Sequence, residues 1–444
     1  MSEQKKLMFL GGTGAMYDVV RRAKNKGIYT IVVDYFTNSP AKRIADRSYL
    51  VSTMDIDAVL QIAREHQIDG VFTGFSDANL MPARRIADAL GLPFYATADQ
   101  IRITTDKLLF KETCRAYDIP VVPEYHLDST LAPPDLDCIQ YPVIVKPADA
   151  WASKGISICQ NEQELRSAVD YALQFSQRKE IIVEQYMAEY PDVCMYFNLQ
   201  NGVLSLACMC ERDLQPVQEG KAMLANALFY PCRYIPLYYE QLEKKVCRMM
   251  RDLKMNDGTA FIQCFVVDGQ LMPFEMGYRF CGAQEYILCA AENGLDSCEM
   301  MLNYALTGRC EGWDAAACNN PCFSHSDVIL MLVMQPGKIA KIEGLDALRS
   351  MPEILEIIQF YYEGDTVEPA TIGTLNQVFA RIFIQGRDPD HLLQLIEQVQ
   401  KNLKVLDKHG QPLLIPGYNC RTAPVLKHQK SSYRSSYRGT SKNV

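Results

Sequence analysis

The chain has 444 residues, 48% of them apolar and 22% charged, which supplies material for a core and excludes a peptide hormone, a disulfide knot or wholesale disorder. Lys+Arg 45 against Asp+Glu 53 gives a formal charge of −8, which repels phosphate backbones and anionic lipid and favours an enzyme of small molecules, with no nucleic-acid or membrane partner.

Residues 6–125 alternate short apolar runs with amphipathic stretches: Leu7–Leu10 as strand, a glycine turn, Tyr17–Lys26 as helix, Thr30–Val33 as strand, Asp57–His66 as helix and Gly70–Thr73 as strand. Continuous apolar strands between helices imply a parallel sheet covered on both faces, a Rossmann-like α/β unit. Leu127 to Gln140 shifts to Asp, Ser, Pro and Leu and reads as a surface connection into the strand Val143–Val145. From there to about residue 325 the pattern is α+β, with its strongest strand signals at Glu180–Val183 and Phe261–Met276.

From Val328 to Leu406 the order predicts a third compact unit: an apolar strand, a turn at Gly337, a helix around Gly344–Ser350, strands near Ile354–Tyr361 and Val378–Ile384, and a helix over Pro389–Asn402. The last 24 residues, from Arg421, hold six Lys or Arg and no Asp or Glu, and are expected to form a disordered basic tail.

The sixteen cysteines lie scattered through apolar runs without paired zinc spacing, so they read as small core hydrophobes in a reducing, cytoplasmic setting. The N-terminal run Leu7–Leu10 stops at two glycines, unlike a targeting segment, and Val328–Met334 is too short to span a bilayer.

Gly11-Gly12-Thr13-Gly14 follows a strand and precedes a helix, and Asp34 ends the next strand, the geography of a dinucleotide-binding turn. Tyr17, however, stands where the third glycine of that pattern belongs.

A second set is distributed. Thr104-Thr105-Asp106-Lys107 opens a helix running through Lys111, Cys114 and Tyr117; Lys146 ends a strand; Asp149 to Gly155 is a small-residue loop containing Ser153 and Lys154. Lysine ammonium groups and successive loop N–H groups suit a polyphosphate. Ile181-Ile-Val-Glu184-Gln185-Tyr186-Met187 is a strand that can present its backbone to an adenine edge.

In Phe261 to Arg279, Asp268-Gly269 between apolar runs predicts a hairpin. A two-residue loop with plain alternation would put Gln263 and Glu275 on opposite faces. A three-residue loop with Gly269 left-handed puts them on the same face and is the expectation here, with Arg279 on that face too. The pair would then supply oxygens to a Mg²⁺ that bridges phosphates. Pro273 is unusual in such a strand.

The order Lys107, Lys146, Asp149–Gly155, Glu184 to Met187, Gln263, Glu275 and Arg279 resembles the ATP-grasp superfamily over about residues 5–325. The motifs Gly337-Lys-Ile-Ala-Lys-Ile-Glu-Gly344 and Tyr362-Glu-Gly364-Asp365 look like the C-terminal domain of L-amino acid ligases of the bacilysin-synthetase type. The resemblance implies a Rossmann-like domain over 1–104, an ATP-grasp domain of two α+β subdomains over 105–325, a small α+β domain over 326–420 and the tail 421–444.

It further implies that Lys107 and Lys146 hold the α- and β-phosphates, that the loop with Ser153, Lys154 and Gly155 closes over the triphosphate, and that Glu184, Gln185, Tyr186 and Met187 read adenine. Asp192, one residue later than the family's acidic position, would contact ribose. Gln263 and Glu275 would bind Mg²⁺, with Mn²⁺ as a substitute; Arg279 would hold the substrate carboxylate or the transferred phosphoryl group, and Lys146, on the phosphates, is the second catalytic residue. Gly277 departs from the pattern, because the family shows Glu-x-Asn-x-Arg. The implied reaction joins a small carboxylic acid, an amino acid among the candidates, to an amine through an acylphosphate; a homodimer is compatible with this. The alternatives are a non-catalytic ATP-binding protein and, on the residue 11–14 turn, a nicotinamide-dependent oxidoreductase.

Overall fold

The computed structural model describes residues 4–125, 127, 136–148, 155–187, 189–215 and 223–421. Four parallel strands, β1 (Lys6–Leu10), β2 (Tyr29–Asp34), β3 (Arg47–Leu50) and β4 (Gly70–Phe72), form a sheet in the order β3-β2-β1-β4. The helices α1 (Gly14–Asn25), α2 (Ile56–His66) and α3 (Asp77–Leu90) cover it. Val59 and Ile62 of α2 and Ala83 and Ile86 of α3 pack with Met8 and Ile31, while Val19 and Val20 of α1 pack with Leu7 and Phe9. A sheet buried on both faces has no polar face to alternate, which is why β1, β2 and β4 read as continuous apolar runs, whereas the exposed edge strand β3 does not.

Two short helices, α4 (Ala98–Thr105) and α5 (Lys107–Ala116), lead out of this unit. The Asp106 carboxylate accepts from the N–H groups of Leu108 and Leu109 and caps α5, which fixes Lys107 as its first residue.

A second sheet, order β5-β8-β6-β7, is built from β5 (Glu124–Tyr125), β6 (Val143–Pro147), β7 (Ser157–Cys159) and β8 (Ile181–Gln185). The third and largest sheet starts with β9 (Asp192–Gln200), β10 (Val203–Gln215), β11 (Leu224–Tyr230), β12 (Gly258–Val267), β13 (Gln270–Gly277) and β14 (Ser326–Val333). Beyond it come two small antiparallel pairs, β15 (Gly337–Lys338) with β18 (Thr366–Val367) and β16 (Lys341–Glu343) with β20 (Lys404–Leu406). The strands β17 (Ile354–Gln359) and β19 (Val378–Gly386) complete the large sheet in the order β13-β12-β9-β10-β11-β14-β19-β17.

The expected boundary at residue 326 therefore falls inside a continuous sheet: β14 pairs with β11 on one side and β19 on the other. Residues 378–386 are carried by that sheet to the wall of the central cleft. Most of the 127–140 connection, residues 149–154 of the small-residue loop, and the tail beyond Arg421 lie outside the described residues. Among the described residues no helix is long and apolar enough to cross a membrane.

Candidate functional site

A cleft of about 540 Å³ is lined from both antiparallel sheets and from the starts of α3 and α5. Lys107 and Lys146, the segment Glu184 to Met187, Asp192, and the trio Gln263, Glu275 and Arg279 all line it. Residues separated by up to 172 positions (279 − 107) thus share one cavity. Gly155 is not among the lining residues; it turns with φ +73°, and a side chain there would meet Pro147 at 2.7 Å. Ser153 and Lys154, of the loop expected to close over the triphosphate, lie outside the described residues.

Lys146 on β6 reaches across to its neighbour β8 and pairs with Glu184, which Lys111 of α5 grips from the other side. Lys111, fully buried, also stands 3.0 Å from Glu124, itself paired with Arg115. Burial opposes the charge on Glu184, but the two ammonium groups outweigh it and hold the carboxyl below its ordinary value. The Glu184 carboxylate is thus engaged by protein cations, and the backbone beyond it is what remains for a ligand. The N–H groups of Gln185 and Tyr186 donate to the carbonyls of Pro123 and Pro142 at 3.1 and 3.0 Å, whereas the Met187 N–H has no acceptor among the described residues. Met187 packs with Phe265 and Phe274, two rings stacked at 4.6 Å, and all three line the cleft.

Asp192 opens β9 with both carboxylate oxygens taken by Arg212, whose Nε and Nη2 each donate at 2.6 Å. A carboxylate held by a bidentate guanidinium has little acceptor capacity left for a ribose. Burial raises its carboxyl, against Arg212, and the nearby charge of Glu275 adds to the rise.

The hairpin departs from expectation in an instructive way. Its loop is the two-residue Asp268-Gly269, both with positive φ (+49° and +78°), and Val267 pairs directly with Gln270. That is a type I′ turn, not the expected three-residue loop. Gln263 and Glu275 nevertheless face each other in register, because Cys264 pairs with Pro273 and Phe274 is bulged out between them. Pro273 is accommodated on an edge strand beside this bulge.

Arg279, two residues past β13, turns its guanidinium onto Asp77 at the start of α3, with Nε 2.6 Å from Oδ1 and Nη2 paired with Oδ2. Its guanidinium also lies 5.0 Å from the centre of the Phe261 ring. The same ring explains Gly277: a Cβ there would stand 2.3 Å from Phe261 Cε1. An aromatic edge fills the space of the asparagine that the family pattern uses.

Gln263 and Glu275 therefore form a two-residue oxygen donor set with a single carboxylate, and no cluster of three or more acidic, Cys or His side chains suited to a metal occurs among the described residues. Such a set fits a Mg²⁺ shared with nucleotide phosphates and water, and not an all-protein cage.

Several cleft residues escaped the sequence reading. Asp77 and Arg212 are partners of expected residues and carry no motif of their own. Arg381, within the apolar run Val378–Ile384 of β19, had a signal: a single charge in an otherwise buried strand. Cys281 also lines the cleft; a hydrogen bond from Cys194 lowers its thiol to about 6 against burial, aided by the Ala283 N–H and by Arg279 and Arg212. The glycine turn at 11–14 is packed with protein, since a Cβ on Gly12 would meet Ser39 at 2.6 Å and one on Gly14 would meet Phe360 at 2.2 Å. This leaves the dinucleotide reading without its phosphate cradle.

Residues 129–203 match the family described as D-ala D-ala ligase C-terminus, and residues 330–406 match L-amino acid ligase C-terminal domain 2. The formate-dependent phosphoribosylglycinamide formyltransferase of Sulfurisphaera tokodaii is 27% identical over 188 residues, 41% of this chain and 47% of its own. The D-alanine–D-alanine ligase of Staphylococcus carnosus is 27% identical over 217 residues, 42% of this chain and 60% of its own. The chain thus spans about half the length of these curated relatives. The L-amino acid ligase of Bacillus licheniformis superposes with a TM-score of 0.71 at 18% identity, covering 92% of this chain and all of that one. The biotin carboxylase domain of the Hydrogenobacter thermophilus 2-oxoglutarate carboxylase, solved with MgADP and bicarbonate, superposes with a TM-score of 0.75 at 16% identity, covering 91% of each chain.

Proposed function

Because the chain belongs to the ATP-grasp carboxylate–amine ligase family, we propose that it uses ATP to join a small carboxylic acid, an amino acid among the candidates, to an amine. The observation that carries this reading is the convergence of Lys107, Lys146, Glu275, Gln263 and Arg279 on one cleft.

The adenine lies against Met187, Phe265 and Phe274, with the Met187 N–H as its backbone donor. Lys107 and Lys146 draw the phosphates inward, and Lys146 is oriented for this by Glu184. Gln263 and Glu275 would hold a Mg²⁺ on the phosphates, where it neutralises charge on the transferred group.

The acid's carboxylate then attacks the γ-phosphorus. Two anions must meet, and Arg279, held in place by Asp77, offsets their repulsion. The bond from the γ-phosphorus to ADP breaks, an acylphosphate forms, and the amine attacks its carbonyl carbon, expelling phosphate and losing a proton. We place this chemistry in a reducing cytoplasm, a reading supported by cysteines such as Cys194, Cys208 and Cys264 that serve as buried members of the apolar clusters.

A screen of acid and amine pairs for ADP and phosphate release, with mass spectrometry of products, tests the proposal. ADP release that needs both partners supports it, and an amide product identifies them. The substitution of the family's asparagine by Gly277, roofed by Phe261, favours one second reading: a protein that binds Mg·ATP without ligation. Heat on titration with Mg·ATP combined with no acid-stimulated ADP would select it.

A further inference from the structure

The floor of the cleft holds a pair of thiols that the scheme above does not use. Cys194 lies on β9, directly opposite Gln263 of β12 on one side and Cys210 of β10 on the other. Gln263 in turn faces Glu275, so the row Glu275, Gln263, Cys194 points to one face of the sheet. Asp192 and Tyr196, two residues to either side on β9, line the cleft. Cys194 therefore points toward the cleft as well, but it is fully buried beneath the residues that line it.

What covers it is Cys281. This residue is half-buried and lines the cavity, in the turn that follows β13 and Arg279. The Cys194 thiol donates a hydrogen bond to the Cys281 sulfur. That bond, then the Ala283 N–H and the guanidiniums of Arg279 and Arg212, hold the Cys281 thiol at about 6 against burial. The thiolate is the form that attacks in thiol chemistry, and its charge also favours the cationic form of Arg381.

The two sulfurs differ in freedom. Cys194 is fixed by strand pairing on both sides, whereas Cys281 lies outside any strand, and a Cβ on the adjacent Gly282 would meet nothing within 4 Å. The turn has room to shift and bring a hydrogen-bonded pair of sulfurs to bonding distance. A second pair, Cys208 with Cys289, is also hydrogen-bonded, but both are buried and neither lines the cleft.

We infer that Cys281 is a modification site for peroxides, where hydrogen peroxide joins it to Cys194 as a disulfide and so stops turnover in the cleft. The Cys281 thiolate attacks one peroxide oxygen, the O–O bond breaks, and the departing hydroxide takes up a proton as water, leaving a sulfenic acid. Cys194 then attacks that sulfur; the S–O bond breaks, and the Cys194 proton leaves with the hydroxide as a second water. Two thiols are oxidised to a disulfide and one peroxide is reduced to two waters. The new bond draws the turn toward β9 and pulls Arg279, two residues upstream, off Asp77. The disulfide forms whether or not the chain is a ligase, whereas its effect on turnover rests on that reading.

The test treats the purified protein with hydrogen peroxide at neutral pH, quenches with N-ethylmaleimide and maps disulfides by mass spectrometry of unreduced peptides. The peptides of Cys194 and Cys281 should be joined at least about tenfold faster than those of Cys208 and Cys289, and dithiothreitol should separate them again. Acid-dependent ADP release should fall severalfold in the joined protein and return on reduction. Cys194→Ala should stop at a Cys281 sulfenic acid that dimedone traps, and Cys281→Ser should keep its ADP release under peroxide. Wild type in which Cys194 and Cys281 stay unjoined, or in which Cys208 and Cys289 join first, would overturn the inference whether or not a variant folds. So would a joined protein with full turnover. A reducible Cys194–Cys281 bond in a protein without acid-dependent ADP release, before or after oxidation, would instead keep the modification site and reject the ligase reading.

Discussion

The Phe261 ring and the missing side chain of Gly277 are one packing unit, since a Cβ at residue 277 would stand 2.3 Å from the ring. Gly277→Asn alone should therefore overpack the hairpin and lower stability by about 1–3 kcal/mol, measured by urea unfolding. Paired with Phe261→Ala, the asparagine gains room and adds a metal donor, and the double variant should need several-fold less Mg²⁺ for half-maximal ADP formation. An unchanged Mg²⁺ requirement in a folded double variant would remove residue 277 from the metal site.

Lys111 carries two carboxylates, Glu184 and Glu124, in a buried cluster. In each, burial opposes the charge but is outweighed, for Glu184 by Lys146 and Lys111 and for Glu124 chiefly by Lys111 with Arg115, so both carboxyls are held below their ordinary value of 4.5. A depressed folded value means that the stabilisation is present above pH ~4.5 and is lost as pH falls below it. Lys111→Met should cost roughly 3–5 kcal/mol at pH 7, because it leaves buried charge uncompensated. It should also flatten the acid limb of a stability-against-pH curve. An acid limb identical to wild type would contradict the pairing.

Asp327 on β14 runs the other way. Burial, reinforced by the charge of Glu292, pushes its carboxyl up to about 8 from an ordinary 3.8. The folded chain keeps a proton that the unfolded chain releases, so stability falls as pH rises from about 4 to about 8. Asp327→Asn should remove this decline and gain at least about 1 kcal/mol relative to wild type between pH 5 and 9. Parallel urea midpoints for the two proteins across that range would refute it.

Much of this arrangement could be read from residue order, and what could not has physical causes. The helix Pro389–Asn402 and the early strands announced themselves through caps and apolar runs. The strands β9 to β11 did not, because segments such as Asp192–Gln200 show neither a polar–apolar alternation nor a clean apolar run, with Asp192, Asn198 and Gln200 among their residues. The hairpin shows a right facing reached by a different route: a bulge at Phe274, invisible to period counting, does what a longer loop was expected to do. Partners such as Asp77 and Arg212 depend on tertiary proximity, which no local pattern encodes.

In the proposed reaction Asp77 acts only through Arg279, whose guanidinium it holds. Asp77→Asn keeps one hydrogen-bond acceptor but loses the charge and the two-pronged grip, and should lower kcat 10–100-fold with the KM for ATP within about twofold. A rise in the KM for ATP with kcat unchanged would show that this pair serves nucleotide binding instead.

If the cleft makes an acylphosphate, hydroxylamine traps it before the amine or water can. Incubated with Mg·ATP, hydroxylamine and an acid that stimulates ADP release, the protein should form the acid's hydroxamate in step with ADP, and Lys146→Ala should form neither. ADP released without hydroxamate, or hydroxamate formed undiminished by Lys146→Ala, would rule out acylphosphate formation by these residues.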